Sequence, residues 1–159
     1  MARELLVLWA GRHHRQAWDE LCADYRGRIE REMPVRDRMI KVRGSSDDPA
    51  RRRTEGEALL AALPDPCWTI ALDHRARPLS SEALAQRLRQ LRDEWPHPIA
   101  FLVGSDLGLA PPVLDAARLR LSFGPVTLGH ELARLVLYEQ LYRALSVGRG
   151  IKYHRRHMG

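Results

Sequence analysis

Between Leu121 and Gly148 the chain reads Leu-Ser-Phe-Gly-Pro-Val-Thr-Leu-Gly-His-Glu-Leu-Ala-Arg-Leu-Val-Leu-Tyr-Glu-Gln-Leu-Tyr-Arg-Ala-Leu-Ser-Val-Gly. This stretch concentrates the side chains whose types and spacing could do chemistry. His130 is of the residue type that can hold or take a proton at cellular pH. Taken alone, it is also simply the first residue of a helix with no chemical role. Glu139 and Arg143 stand i to i+4, a spacing that gives an exposed helix an ion pair of roughly 0.2–0.5 kcal/mol. Ahead of them, Gly124 and Gly129 let main chain lie close to a ligand, and Pro125 stiffens the loop between.

The helix carrying these residues is predicted to start near His130 and to stop at Gly148, a glycine of the kind that ends helices. Its apolar residues fall on two sides. Ala133, Leu137, Leu141, Ala144 and Leu145 make one; Leu132, Leu135 and Val136 make the other, shared with Glu139, Arg143 and Ser146. One side covers a sheet, and the second is left for another layer or a partner chain.

The preceding chain alternates between two kinds of element. Residues 4–10, bounded by Gly11, have the pattern of a strand buried on both faces. Trp18, Leu21, Cys22, Tyr25 and Ile29 mark an amphipathic helix ending before Pro34, and residues 35–42 form a more polar strand, nearer an edge. The next helix is predicted to have Asp48 as N-cap and Pro49 at its first position. Leu59, Leu60 and Leu63 are its core contacts; Arg51, Arg52 and Arg53 are either a phosphate grip or a solvated face. Residues 67–72 read as a third buried strand ending at Asp73. Ser80 or Ser81 caps a helix with Leu84, Leu88 and Leu91 on its apolar side, running to Trp95. Residues 99–103 are a fourth apolar strand leading into the turn Gly104-Ser-Asp-Leu-Gly108, and Pro111 and Pro112 open a short helix through Ala117. Strand followed by helix, three times over, predicts an α/β fold with a largely parallel sheet. In such folds ligands sit at the carboxyl edge of the sheet, where strands end in tight turns.

A chain of 159 residues is expected to form a single domain over residues 1–159, burying about two-thirds of its unfolded surface. With 45% hydrophobic residues and no apolar run near the length of a membrane span, a soluble, cytoplasmic protein is expected. The apolar start yields to glycine and basic residues after Ala10, which fits a first strand better than a secretory signal. Cys22 and Cys67 have no metal-binding spacing, so free thiols and no metal are expected. A formal net charge of +6 suits a polyanion such as RNA. The lysines are Lys41 and Lys152 alone among 26 basic residues, an arginine excess that genome composition also explains.

The run Thr127-Leu128-x-His130-x-x-x-Arg134-x-x-x-x-Glu139-Gln140-Leu141-Tyr142-Arg143-Ala144 is followed by Arg149-Gly150 and the tail Tyr153-His154-Arg155. It resembles the C-terminal signature of the ribosomal large-subunit methyltransferase H family, SPOUT-class enzymes that methylate N3 of a pseudouridine in 23S rRNA. The likeness extends along almost the whole chain and is weakest between residues 30 and 65. It implies a SPOUT-type α/β knot: a Rossmann-like parallel sheet flanked by helices, with the C-terminal chain threaded as a deep trefoil knot. It also implies a homodimer acting on the assembled ribosome. The implied cofactor is S-adenosylmethionine, bent in a pocket lined by Leu72, Gly104, Ser105, Gly124, Pro125, Val126, Thr127, Leu128 and Gly129. By the same resemblance His130 is a base or an orienting group, and Glu139 with Arg143 holds the site or the dimer. Tyr153 would stack on the target base and Arg155 bind phosphate or the acceptor, on a tail supplied by the partner subunit.

Two positions depart from the family's pattern. Ser105 stands where a second glycine is usual, putting a Cβ where the backbone approaches the cofactor or needs positive φ. Gly129 replaces a proline before the histidine. A second function therefore stays open, that of a knotted RNA- or ribosome-binding homologue with weakened or lost cofactor use. A Rossmann-like nucleotide binder is disfavoured, because the first strand lacks a Gly-x-Gly-x-x-Gly turn.

Overall fold

The computed structural model describes residues 3–11, 15–42 and 47–148. Its strands are β1 (Leu5–Ala10), β2 (Val35–Ile40), β3 (Trp68–Leu72), β4 (Ile99–Val103) and β5 (Leu119–Leu121); its helices are α1 (Gln16–Glu30), α2 (Asp48–Ala61), α3 (Ser81–Glu94), α4 (Pro111–Ala116) and α5 (His130–Gly148). The strands form one sheet in the order β2-β1-β4-β3-β5, and each pairing is parallel. β1 and β4 are buried at every position. Helices cover both faces of a parallel sheet, so its inner strands have no solvent side and their sequences are nearly all apolar. β2 lies at an edge, as its polar sequence predicts, with Arg36 and Arg38 exposed.

The two faces divide the core. Leu5, Val7, Trp9, Ile99 and Phe101 meet α1, α3 and α5 through Cys22, Ile29, Leu84, Leu88, Leu137 and Leu141. Leu8, Ala10, Ala71 and Leu102 meet α2 and α4 through Leu59 and Val113. α5 packs against both α1 and α3, which buries Leu137, Leu141 and Leu145 almost completely. Each such leucine is worth roughly 1.5–3 kcal/mol by the area it removes from water.

Several local expectations shift by a residue or a turn. The N-cap of α2 is Asp47, not Asp48: the Asp47 carboxylate accepts from the Ala50 backbone N–H at 3.0 Å. Either aspartate has the right chemistry, and only geometry chooses between them. β2 stops at Ile40. Leu21 is 48% exposed rather than packed, because the buried stripe of α1 runs through Cys22 and Ile29. Ser80 is the cap of α3, accepting from Ala83 N–H at 3.0 Å. Replacing Ser80 by alanine is expected to cost about 1 kcal/mol in urea denaturation, whereas Ser81→Ala leaves that cap intact.

Cys22 is buried and Cys67 half-buried, both free. Burial pushes each thiol up to about 11, so neither is a nucleophile at neutral pH. Among the described residues no helix is long and apolar enough to cross a membrane, and no group of three or more His, Cys, Asp or Glu side chains could hold a metal.

Candidate functional site

The carboxyl ends of β3, β4 and β5 open onto a cavity of about 390 Å³. Its wall is built from three connections: Leu72 to His74 after β3, Val103 to Gly108 after β4, and the loop after β5 into the first turn of α5. The size is that of a small-molecule site, and the carboxyl edge is where parallel α/β sheets place ligands. Leu72, Gly104, Ser105, Gly124, Val126, Thr127, Leu128 and Gly129 all line it, as does His130. Pro125 is not in the lining, and neither is Glu139. Tyr153 and Arg155 lie outside the described residues.

The turn after β4 requires glycine at two places. A Cβ on Gly104 would lie 2.6 Å from the Gly108 carbonyl carbon and 2.8 Å from Leu109 N. Gly108 itself has φ +75, a conformation that L side chains rarely adopt. Ser105 is different. No described non-glycine residue has positive φ, so position 105 has no conformational need for glycine. Its hydroxyl donates to Glu55 Oε1 at 2.6 Å and accepts from Leu107 N–H at 3.3 Å.

The arginines of α2 hold the same turn. Arg51 Nη2 donates to both carboxylate oxygens of Asp106, at 3.2 and 3.1 Å, and Arg52 Nη2 donates to Leu109 O at 2.6 Å. Arg51 is only 7% exposed, so of the expected cluster Arg51 and Arg52 are internal braces and Arg53 alone is solvated. The helix comes this close because Gly56 leaves room for Ala110 and Val113, whose side-chain atoms would lie 3.1 Å from a Cβ there. Partial burial raises the Asp106 carboxyl, but the hydrogen bond and charge of Arg51 outweigh it and hold Asp106 below the usual carboxylate range.

The loop after β5 is fastened at its start. Ser122 Oγ lies 3.0 Å from Gly124 O and 3.1 Å from Gly124 N, and Gly124 has φ +124. The segment after β3 follows it closely: Asp73 N–H donates to Leu121 O at 2.9 Å. Gly129 has neither positive φ nor a neighbour within 4 Å of an added Cβ, so replacement of proline there introduces no strain. His130 opens α5 at the cavity wall, its Nε2 3.9 Å from Glu131 Oε1 and its side chain 28% exposed.

A buried polar cluster escapes the sequence reading. Arg134 is 5% exposed. Its Nε and Nη2 donate to the two oxygens of Asp37, at 3.1 and 2.8 Å, and its Nη1 to Asp19 at 3.0 Å. The guanidinium carbon lies 4.1 Å from the centre of the Trp9 ring. Trp9 Nε1 donates to Asp37 at 2.9 Å, and the Tyr138 hydroxyl donates to the same carboxylate. Burial, then the charge of Asp37, push the Tyr138 hydroxyl well above its ordinary value, so it stays a donor. For Arg134 burial opposes the charge, but Asp37 and Asp19 outweigh it. One signal was available: Asp37 stands two positions from both Val35 and Met39 on β2, so an acid shares a strand face with apolar residues.

Glu139 accepts from Arg143 Nε and Nη2 at 3.1 and 2.6 Å and from Gln140 Nε2 at 2.7 Å. The pair is largely buried, with side chains 21% and 13% exposed. Ser81 Oγ donates to Gln140 at 2.6 Å, linking this patch to α3.

A parallel sheet covered on both faces, with a glycine-shaped cavity at its carboxyl edge, defines an α/β protein with a small-molecule-sized cavity across its strand ends. The chain belongs to the SPOUT methyltransferase family: the family described as "Predicted SPOUT methyltransferase" matches residues 4–154. It is therefore a methyltransferase. It is 39% identical to the ribosomal RNA large subunit methyltransferase H of Solidesulfovibrio magneticus, over 96% of this chain and 99% of that one. It is 44% identical to the protein of the same name from Xanthomonas euvesicatoria pv. vesicatoria, over 84% of this chain and 86% of that one. A solved structure of a probable methyltransferase from Bordetella pertussis Tohama I shares the fold, with TM-score 0.56 and 16% identity over 90% of this chain and 96% of that one.

Proposed function

We propose that this methyltransferase holds S-adenosylmethionine in the cavity at the ends of β3, β4 and β5 and methylates N3 of a pseudouridine in 23S rRNA of the assembled ribosome. The single observation that carries the reading is the cavity itself, flanked by His130 and walled by three glycine-rich or polar turns. The wall residues fit the cofactor. Leu72, Val103, Leu121 and Phe123 give apolar surface for a flat base, the turns give backbone N–H and C=O groups, and Asp73 gives a negative charge suited to a cationic ligand. The names of the relatives, which specify ribosomal RNA of the large subunit, support the substrate class.

S-adenosylmethionine, when bound, supplies an electrophilic methyl carbon on a sulfonium. The chain contributes alignment and control of one proton. Correct alignment is worth roughly 7–11 kcal/mol, more than the 10²–10⁴-fold a positioned base adds. His130 holds the acceptor or takes its proton on a ring nitrogen at the cavity wall. The resemblance gives Tyr153 and Arg155, which lie outside the described residues, the roles of stacking on the target base and binding phosphate or the acceptor, and the outward side of α5, where Leu132 is 39% exposed, pairs the two chains in the cytoplasmic dimer. Glu139, held by Arg143 outside the cavity, accepts from Gln140, which Ser81 ties to α3, and so helps keep α5 in place. The trefoil threading implied by the resemblance belongs to this reading; the two segments it would bring together, 103–108 and 121–130, share the cavity wall. The rival function rested on Ser105 and Gly129, and neither position strains the backbone.

Mass mapping of rRNA from a strain lacking this protein tests the reading: one methyl should be missing from 23S rRNA and be restored by the unaltered chain. His130→Ala is expected to bind the donor within about threefold and to methylate on the order of 100-fold more slowly. An rRNA methylation pattern identical in the two strains would sink the proposal.

A further inference from the structure

The wall of the cavity after β4 is a tight turn from Val103 to Gly108 with glycine at 104 and 108, and its shape depends on what packs behind it. α2 supplies that support. Glu55 is 4% exposed and Ser105 6%, and among the described residues the Ser105 hydroxyl, at 2.6 Å, is the hydrogen-bond partner of the Glu55 carboxylate. That hydroxyl also takes the Leu107 N–H. Arg51 grips Asp106 through both oxygens, and Arg52 grips Leu109 O. Residues at i, i+1 and i+4 of one helix thus hold positions 105, 106 and 109 of one turn. A buried carboxylate is costly unless it is hydrogen-bonded, so Glu55 and the turn constrain one another.

We propose that Glu55 and Arg51 are positioning residues for the methyl donor: neither lines the cavity, and each fixes the turn that does, Glu55 through Ser105 and Arg51 through Asp106. The proposal rests on the donor reading above and deepens it by naming the groups behind the wall that set donor affinity. It also gives Ser105 a purpose. The side chain at a position where the family usually has glycine is the attachment point of the brace.

The test is titration calorimetry of the full chain with S-adenosylmethionine, with steady-state methylation and thermal melting run on the same samples. Glu55→Ala and Ser105→Ala should each weaken donor binding by about tenfold, the loss of one hydrogen bond to a charged group. Glu55→Ala should raise the donor KM while kcat at saturating donor changes by less than about twofold. Glu55→Gln keeps an acceptor for the serine hydroxyl and should restore affinity to within about threefold of the unaltered chain. The double variant should bind no worse than the weaker single one, because both remove the same contact. Should Glu55→Ala fail to fold, Ser105→Ala, which removes one oxygen atom, carries the test with Arg51→Gln. Variants that melt earlier yet bind the donor as the unaltered chain does would overturn the proposal and leave the donor reading standing. An unaltered chain that does not bind the donor at all would bring down both.

Discussion

Asp37→Ala is expected to lower the unfolding free energy by about 3 kcal/mol, read by urea denaturation of the purified chain. The reason is what it leaves behind. Arg134 stays buried with its charge, and Trp9 Nε1 and the Tyr138 hydroxyl lose the oxygens they donate to. Removing one partner of a buried ion pair typically costs about 3–5 kcal/mol. The lower end applies here, because Asp19 still accepts from Arg134 at 3.0 Å and is itself 31% exposed. Tyr138→Phe removes a single hydrogen bond from the same cluster and should cost about 1 kcal/mol. A double replacement of Asp37 and Arg134 by apolar residues should be milder than Asp37→Ala alone, since no charge is stranded. A loss below about 1 kcal/mol for Asp37→Ala would mean that the cluster is hydrated enough to screen the pair. The consequence extends to the site. Arg134 anchors the first turns of α5 to β2, and the same turns carry His130 and Ala133 into the cavity wall.

The second large effect belongs to Gly104. Gly104→Ala should reduce affinity for S-adenosylmethionine on the order of 100-fold, about 2.7 kcal/mol in binding free energy. The added Cβ would stand 2.6, 2.8 and 2.9 Å from the Gly108 carbon, Leu109 nitrogen and Gly108 oxygen. All three are backbone atoms, so no side chain can swing aside; relief requires the turn to open. Opening it breaks the Ser105–Gly108 pairing and pulls against the Arg52 grip on Leu109. Overpacking of this kind typically costs about 1–3 kcal/mol. Gly27→Ala is the matched control, since nothing lies within 4 Å of a Cβ there, its φ is not left-handed and it is outside the cavity wall. It should bind within about threefold of the unaltered chain. Equal losses for the two variants would show that the clash at 104 is not what matters.

Much of the fold was legible because its signals are local. β1 and β4 announce themselves as continuous apolar runs, since strands buried on both faces have no polar side to alternate. α5 runs from His130 to Gly148, as the glycine loop before it and the glycine at its end predict. The carboxyl-edge location of the cavity follows from a general rule of parallel sheets, and eight of the nine residues that the resemblance named for a cofactor pocket lie in its wall. Even local signals had limits. Asp47 and Asp48 are chemically alike as caps, and Leu21 and Cys22 are neighbours on one helix; which of each pair is used depends on what packs against it.

The amino-acid order by itself determined the alternation of strand and helix, the parallel sheet, the family and the loops that wall the cavity. Tertiary structure alone decided which charges are buried and what holds the ligand turn. Ser105 and Glu55 are 50 positions apart, Arg51 and Asp106 55, and Arg134 and Asp37 97. Periodicity senses neighbours within a turn or two of helix, whereas these pairs meet only because the strand order sets β2 beside β1 and lays α2 over the turn after β4. A carboxylate and a guanidinium read in isolation look solvated. Only when the sheet has closed and water is excluded do they have each other as partners.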